Sequence, residues 1–598
     1  MRARQISLGE LAPPGSRLAR WLTMVSPPVD RLLGIGAIDD LYQRNKLAAL
    51  PPFEFSSKSL EVLGVSVSPV RALADAGIPA EGPLLIVCNH PFGAVEALVL
   101  ADALRGVRSD IRFLANAGLR VFRELRPLLI PTNPLRVTQQ NVTSIRRCQA
   151  HLEAGGVLIL FPAGRVSSHQ PDKGRITDGP WNRVVGHLAR ASNAPILPVY
   201  FHGTNSRSFH VLGRLWDGSK LLMLPRELLR QRGRTVRYCA GQPIPPAAWR
   251  HMGAVELARY ARLMTYAQAD VAARGAEAAG EGREAPTTPL APRGDELVME
   301  RELDALPREQ RLLEFKQFSV AYARAVQVPA LMAEIARERE RVFRMHDEGS
   351  GQPRDTDAFD QSYEQLLVWD RATRSLVGAY RMGRTDLLLA SSGHQGLYLS
   401  RMFEFAHEFH DPARPALELG RSFIVPEYQR SFHGLYLLWQ GIGQYLVAHP
   451  DYRRLYGTVS LSRQYDPRAV MMLCDALIEA SPQVRSRFPI ADRNCIEWQD
   501  FRRETGRLDL ATLNAIVRGL DAEGKGMPVL LRHYLKLGAK FHCVGADPNF
   551  NNTPGLLLTV DVAELDRKTL LTFLRAGTES YLEHVPAVRQ TRHAQNRS

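Results

Sequence analysis

Short unbroken apolar runs alternate with helix-like stretches through the first half of the chain. The runs 84–88, 157–161 and 196–201 have strand length and almost no polar interruption. That pattern suits strands buried on both faces of a sheet. Gly93 breaks the chain after the first run, and 94–104 then has helical composition. Strands alternating with helices predict an α/β sheet, with functional groups in the loops at strand ends. In the second half, 366–370 and 376–381 predict a hairpin turning through 371–374. A strand over 422–425 is closed by Pro426. Leu435, Leu438, Trp439, Ile442 and Leu446 then recur at helical spacing, which predicts an amphipathic helix over 434–447. The run 455–460 resumes the sheet.

From 273 onward bulky apolar residues give way to Ala, Gly, Glu, Arg, Pro and Thr. Such a stretch cannot bury enough surface to order itself, so 273–305 is predicted to be a flexible linker. It separates a domain over 1–272 from one over 306–598, and a chain of 598 residues is long enough for both. The net charge of +14 favours an acidic partner such as anionic lipid or an acidic carrier protein. There is no aromatic RNP strand and no zinc-finger spacing, so nucleic acid is not expected as a partner. Six scattered cysteines form no Cys-x-x-Cys pair, which predicts reduced thiols and no zinc site. His407-Glu408-Phe409-His410 lacks the second histidine that a zincin helix needs four residues after the first, so no metal is expected. No apolar stretch reaches about 18 residues, and the N-terminus has no signal core. The expected location is cytoplasmic, peripheral on the inner face of the cell membrane.

The first candidate site is Asn89-His90-Pro91-Phe92-Gly93-Ala94-Val95-Glu96. On one unbroken helix His90 and Glu96 would point about 240° apart. Pro91 and Gly93 argue instead for strand, tight loop and a helix beginning near Gly93. Glu96 then sits in the first helical turn, where the macrodipole favours a carboxylate. From there it can hold one imidazole nitrogen and leave the other as a general base. A second run, Phe161-Pro162-Ala163-Gly164-Arg165-Val166-Ser167, puts a Gly-Arg loop at a strand end, able to meet an anionic group. Two basic apolar stretches, 119–126 and 221–234, are candidates for an anionic bilayer surface or for helices covering the core.

Asn-His-Pro at a strand end, the Phe-Pro-x-Gly-Arg-x-Ser block and the later strand through Pro198 resemble the lysophospholipid acyltransferase family. The carboxylate follows His90 after five intervening residues rather than four, and is Glu rather than Asp, which resembles the hemolysin-like branch. Ala163 replaces the usual Glu of the acceptor block, which points away from a glycerol-3-phosphate acceptor. The resemblance implies a glycerolipid-acyltransferase-like α/β domain. In it His90 and Glu96 catalyse attack of a hydroxyl on an acyl thioester with no acyl-enzyme. The resemblance also implies that Asn116, Phe161, Gly164, Arg165 and Ser167 bind the acceptor.

In the second half Asp357 to Asp360, Val377 to Arg381 and Glu418 to Ser422 follow one another in an order resembling GNAT-type N-acyltransferases, especially the ornithine N-acyltransferase and autoinducer-synthase branch. The likeness extends over about 315–570, into 530–539 and Asp547-Pro548-Asn549-Phe550. It implies a mixed α/β domain in which Glu418 binds or deprotonates an amine and Arg421 holds a carboxylate or phosphate. Arg430, His433 and Gly434 would meet the acyl carrier at a helix N-terminus, with Arg453 and Arg454 as further docking charges.

The two halves together resemble the bifunctional ornithine-lipid synthases. The resemblance implies that the second half N-acylates ornithine with a 3-hydroxyacyl group from acyl carrier protein, and that the first half O-acylates the resulting lyso-ornithine lipid at a membrane surface. No cofactor is implied beyond the carrier thioester. Other readings stand beside it: another amino acid, a lysophospholipid acceptor, or a first half that binds lipid without catalysis.

Overall fold

The computed structural model describes residues 6, 30, 33–132, 139–215, 217–270, 288–411, 414–479, 481–490, 496–521 and 523–584. The chain divides into two units, Met1–Gly282 with Cys495–Lys525, and Arg283–Asn494 with Gly526–Ser598.

The strands of the first unit are β1 (Ser66–Arg71), β2 (Leu84–Cys88), β3 (Ile111–Asn116), β4 (Leu129–Thr132), β5 (Val157–Leu160), β6 (Ser168–Gln170), β7 (Arg175–Thr177), β8 (Ile196–His202) and β9 (Thr235–Ala240). Seven of them form one sheet in the order β1-β9-β8-β2-β5-β3-β4, with β6 and β7 a separate antiparallel hairpin. Neighbours in the sheet run parallel except β8 with β9. Every residue of β2 and β5 is buried, which explains their unbroken apolar character. Val87 lies opposite Leu160, so the loops after β2 and β5 leave the sheet side by side. The helix Val95–Leu104 is buried on most of its surface and packs against the helix Pro52–Val62.

Cys495–Lys525 belongs to this first unit, although the composition break placed it with 306–598. Its helices Ile496–Thr505 and Leu510–Leu520 bury Trp498, Phe501, Leu513, Ile516 and Val517. The Tyr260 hydroxyl, on the helix Ala254–Tyr266, donates to the Ala515 carbonyl at 2.9 Å. The expected linker also needs correction. Residues 273–287 lie outside the described residues, but 288–305 contains an ordered helix, Glu296–Asp304. The Asp295 side chain caps it, and Met299 and Leu303 enter the core of the second unit.

The second unit has β10 (Arg311–Phe315), β11 (Phe318–Arg324), β12 (Glu364–Asp370), β13 (Ser375–Arg384), β14 (Phe403–Phe405), β15 (Ala416–Ile424), β16 (Arg454–Ser460), β17 (Val484–Ser486), β18 (Lys540–Asp547) and β19 (Thr553–Asp561). Eight strands form a mixed sheet in the order β10-β11-β12-β13-β15-β16-β19-β18, and β14 pairs with β17. Only β15 and β16 run parallel within the large sheet. Their pairing covers 416–419 with 454–457 and then stops, although both strands continue. The helix Phe432–Ala448 is buried continuously from Leu437 to Gly443, so it is enclosed rather than one-sided as its spacing predicted. The sheet lies on one side, and the helix Arg567–Leu574 packs against it too.

Candidate active sites

In the first unit, Asn89 follows directly on β2, and its side chain exchanges hydrogen bonds with the Phe201 backbone at 2.9 and 2.7 Å. This staples the strand end to β8 and starts the His90 loop from a fixed point. Gly93 carries the turn at φ +114°, and a Cβ there would stand 2.7 Å from a Leu224 methyl. The loop can therefore close only with glycine. Glu96 then lies in the first turn of the next helix, fully buried. Its carboxylate accepts the N–H of Phe92 at 2.7 Å and of Gly93 at 2.9 and 3.1 Å. Its Oε1 stands 3.2 Å from His90 Nδ1.

Burial alone would raise the Glu96 carboxyl. The facing His90 imidazole and these N–H groups override burial and hold the carboxyl below its usual range. The carboxylate thus faces Nδ1 as a charge partner, although Nδ1 makes no hydrogen bond of normal geometry. The His90 ring stacks on Phe161 with centroids 4.2 Å apart and keeps 14% side-chain exposure. The expected pair is thus brought together, and Phe161 joins it as a packing partner.

The other acceptor-loop residues divide. Gly164, at φ +65°, and Arg165 are exposed at the loop tip. Ser167 is buried and faces inward: its N–H donates to the His90 carbonyl at 2.8 Å and its hydroxyl to Asp178 at 2.6 Å. Asn116 ends β3, and its side chain accepts the Gly118 N–H at 2.9 Å. Asp178 went unnoticed in the sequence. It also accepts the His90 N–H at 3.2 Å and the Trp181 indole N–H at 3.0 Å. Burial pushes its carboxyl up, against the pull of Ser167 and Arg262.

Beside this loop is a partly open apolar pocket. Ala94, Ala97 and Leu98, from around the turn that carries Glu96, form one wall; Leu119, Phe122, Leu125 and Leu228 contribute elsewhere. Both basic apolar stretches therefore cover this region. The stretch 119–126 supplies three of those residues. The helix Asp217–Arg230 turns Leu224 and Leu228 inward and leaves Leu222 and Arg226 exposed.

In the second unit the parting of β15 from β16 opens a pocket. Gly420, Arg421 and Ser422 line one side, Thr458 and Ser460 the other. Gly457 is the last position of β16 paired with β15, and a Cβ there would stand 2.4 Å from the Leu419 carbonyl oxygen. Opposite β13, Tyr380 alone faces both Arg421 and Ser422, because Ala379 pairs with Phe423 and Arg381 with Gly420. This bulge holds Arg421 at φ +51° and re-aims its side chain.

Glu418 sits deep in the same pocket at 2% exposure. It accepts the hydroxyls of Tyr363 and Tyr456 at 2.9 and 2.8 Å and the Leu399 N–H at 3.2 Å. Burial pushes its carboxyl up, and the Tyr456 and Tyr363 hydroxyls pull the other way. Arg381, fully buried, pairs with Asp357 at 2.6 Å and Asp360 at 3.3 Å. Arg421 is held more loosely. Its Nε makes no hydrogen bond, Asp355 and Asp357 stand 3.6 and 3.7 Å from its guanidinium, and Nη2 donates to the Tyr398 hydroxyl at 3.2 Å. Tyr363, Tyr398, Tyr456 and Arg381 were not assigned roles from sequence: Tyr456 and Arg381 read as ordinary strand residues, and Tyr363 and Tyr398 lie outside the strands with no motif of their own.

Arg430, His433 and Gly434 do not line this pocket. Arg430 is exposed, His433 stacks on Phe318, and Gly434 is buried against Ile424. The expected docking charges Arg453 and Arg454 are engaged within the unit: Arg453 pairs with Asp561 at 2.8 Å and Arg454 donates to the Phe409 carbonyl. Among the described residues no cluster of His, Cys, Asp and Glu could hold a metal ion, and no helix is long and apolar enough to cross a membrane.

Two family models match the chain: an acyltransferase model over residues 18–271 and an acetyltransferase (GNAT) domain model over 339–440. The chain is 29% identical over 275 residues to the glycine N(alpha)-acyltransferase of Bacteroides thetaiotaomicron, covering 42% of this chain and 81% of that protein. It is 28% identical over 212 residues to the lyso-glycine lipid O-acyltransferase of Phocaeicola vulgatus, covering 33% and 74%. It is 28% identical over 237 residues to the L-ornithine N(alpha)-acyltransferase of Agrobacterium fabrum, covering 37% and 72%. The protein is an acyltransferase with an N-terminal acyltransferase region and a C-terminal GNAT domain.

Proposed function

We propose that the second unit N-acylates ornithine from a 3-hydroxyacyl carrier-protein thioester, and that the first unit O-acylates the new hydroxyl from a second thioester. The reading is carried by the His90–Glu96 pair at 3.2 Å beside an apolar pocket. In the first unit His90 Nε2 takes the hydroxyl proton as oxygen attacks the thioester carbonyl. Glu96 stabilises the imidazolium. The carbon–sulfur bond then breaks, and the imidazolium returns the proton to the thiolate. The apolar pocket suits an alkyl chain, and Arg165 suits the anionic end of the lyso-lipid.

In the second unit Glu418 accepts the proton of the α-ammonium, a role its raised, buried carboxyl suits. The freed amine attacks the thioester carbonyl, the carbon–sulfur bond breaks, and the proton released by the attacking nitrogen passes to the departing thiolate. Arg421 holds the substrate carboxylate: its Nε makes no hydrogen bond, and the Asp355 and Asp357 carboxylates stand back from it at 3.6 and 3.7 Å. The parted strands β15 and β16 leave backbone groups for the extended arm of the thioester. Arg430 meets the acidic carrier.

Ornithine is favoured by Asp547, which lines the pocket and offers a counter-charge to a second ammonium. Glycine is the second reading, because the similarity to the Bacteroides enzyme covers more of that relative than the similarity to the Agrobacterium enzyme does. Membrane contact is supported by exposed Val211 and Leu222 with Arg226, Arg232 and Arg234 on the same part of the chain. The test is to supply the purified chain with carrier-bound 3-hydroxyacyl and acyl groups plus ornithine or glycine, with products read by mass spectrometry. N-acyl-ornithine and its O-acyl ester are expected. Product from glycine alone would overturn the choice of amino acid, and no N-acyl amino acid at all would overturn the assignment of the second unit.

A further inference from the structure

The loop that fixes His90 is held from behind by a residue some four hundred positions later in the chain. Glu497 lies on the helix Ile496–Thr505 and is buried at 6% exposure. Its two oxygens face Arg262, with Nε at 3.0 Å and Nη2 at 3.4 Å. One oxygen also meets Arg175 at 2.7 Å. The rest of the Arg262 guanidinium is spent on one short segment. Nη2 donates to the Thr177 hydroxyl at 3.2 Å, and Nη1 donates to the carbonyls of Asp178 and Gly179 at 3.0 and 2.6 Å. The Asp178 carboxylate in turn receives the His90 N–H and the Ser167 hydroxyl. A guanidinium is a rigid planar fork, so a carboxylate on one edge fixes where the other edge points.

We propose that Glu497 is a positioning residue for O-acyl transfer. Through Arg262 it sets the 177–179 segment, and through Asp178 it sets the loops bearing His90 and Ser167. The inference rests on the proposed O-acyltransferase reading of the first unit. It also gives a physical reason for both halves to share one chain: a segment from the second half of the sequence completes the first unit's site.

The test uses the full-length chain. O-acylation is followed with N-(3-hydroxyacyl)ornithine, N-(3-hydroxyacyl)glycine and a palmitoyl carrier-protein thioester as probes, and N-acylation by the same preparations serves as an internal control. Glu497→Gln keeps the shape and removes the charge that orients Arg262. It is expected to lower kcat for O-acylation about tenfold or more, since small misplacements of catalytic groups cost that much. KM for the lyso-lipid is expected to stay within about twofold, N-acylation to be unchanged, and Glu497→Asp to recover part of the loss. Tyr260→Phe removes one hydrogen bond docking the same segment without touching the 177–179 loop, and is expected to keep wild-type kcat. If Glu497→Gln does not accumulate, Arg262→Lys carries the same test, because it keeps the charge and loses the fork. Wild-type kcat in Glu497→Gln, or equal losses in Glu497→Gln and Tyr260→Phe, would overturn the proposal. His90→Ala separates the two claims. If it retains O-acylation, the reading of the unit fails; if it abolishes O-acylation while Glu497→Gln is unimpaired, only the positioning role fails.

Discussion

Replacing Glu96 by Gln tests the electrostatics of the first site with little change of shape. The carboxylate stands 3.2 Å from His90 Nδ1 in a buried setting. Two unit charges at that distance attract by about 5 kcal/mol at an effective dielectric near 20. This attraction exists only once the imidazole is protonated, so it lowers the barrier rather than strengthening ground-state binding. The amide keeps an acceptor for the Phe92 and Gly93 N–H groups and keeps part of the dipole. We therefore expect roughly half of the attraction to be lost, about 2.5–3 kcal/mol, or close to a hundredfold in kcat. The assay is turnover of an N-(3-hydroxyacyl) amino acid to its O-acyl ester, with thermal unfolding measured on the same sample. KM for the lyso-lipid should change little. A folded Glu96→Gln enzyme within about threefold of wild type would refute the reasoning, because the carboxylate would then be serving only as a helix and loop cap.

Two further outcomes follow from the second unit. Gly457→Ala drives a methyl to within 2.4 Å of the Leu419 carbonyl oxygen at the point where β15 and β16 part. It should destabilise the unit by about 1–3 kcal/mol in denaturant unfolding, with loss of N-acylation. The Glu348 carboxyl is pushed up to about 7 by burial, against the Ser460 hydroxyl and Arg421, from 4.5 in the unfolded chain. The folded state thus favours its protonated form. The stability it contributes is complete below pH 4.5 and is lost as pH rises through 7, by up to about 3 kcal/mol. Glu348→Gln should flatten that dependence in unfolding curves taken between pH 5 and pH 8. A variant whose stability falls as steeply as wild type over that window would assign the titration to another group.

What could be read from the sequence was local. The fully buried strands β2 and β5 announce themselves as apolar runs, and Pro91 with Gly93 forces the loop that brings His90 onto Glu96. Glu418 and Arg421 were placed by the order of motifs around them. What escaped notice lies at long sequence separation. Asp178 reaches the His90 backbone across 88 positions, and Glu497 reaches Arg262 across 235. Neither residue has a neighbour in sequence that marks it. Composition misled at the domain boundary, because the stretch before Glu296 is poor in bulky apolar residues while Met299 and Leu303 just beyond it are core. It also misled for Arg453 and Arg454, whose charges read as surface while the sheet and Asp561 engage them. The bulge at Arg421 has no sequence signal, since its left-handed φ falls on a residue that gives no warning of it.

The central claim is that two separate sites on one chain perform two acyl transfers in series. Mass spectrometry of lipids made by cells expressing His90→Ala or Glu418→Gln, in a host without aminolipids of its own, tests it most directly. His90→Ala is expected to accumulate the N-acyl amino acid with no O-acyl ester, and Glu418→Gln to make neither while still esterifying supplied N-(3-hydroxyacyl)ornithine. Diacylated product from His90→Ala, or failure of folded Glu418→Gln enzyme to esterify the supplied lyso-lipid, would contradict that division of labour.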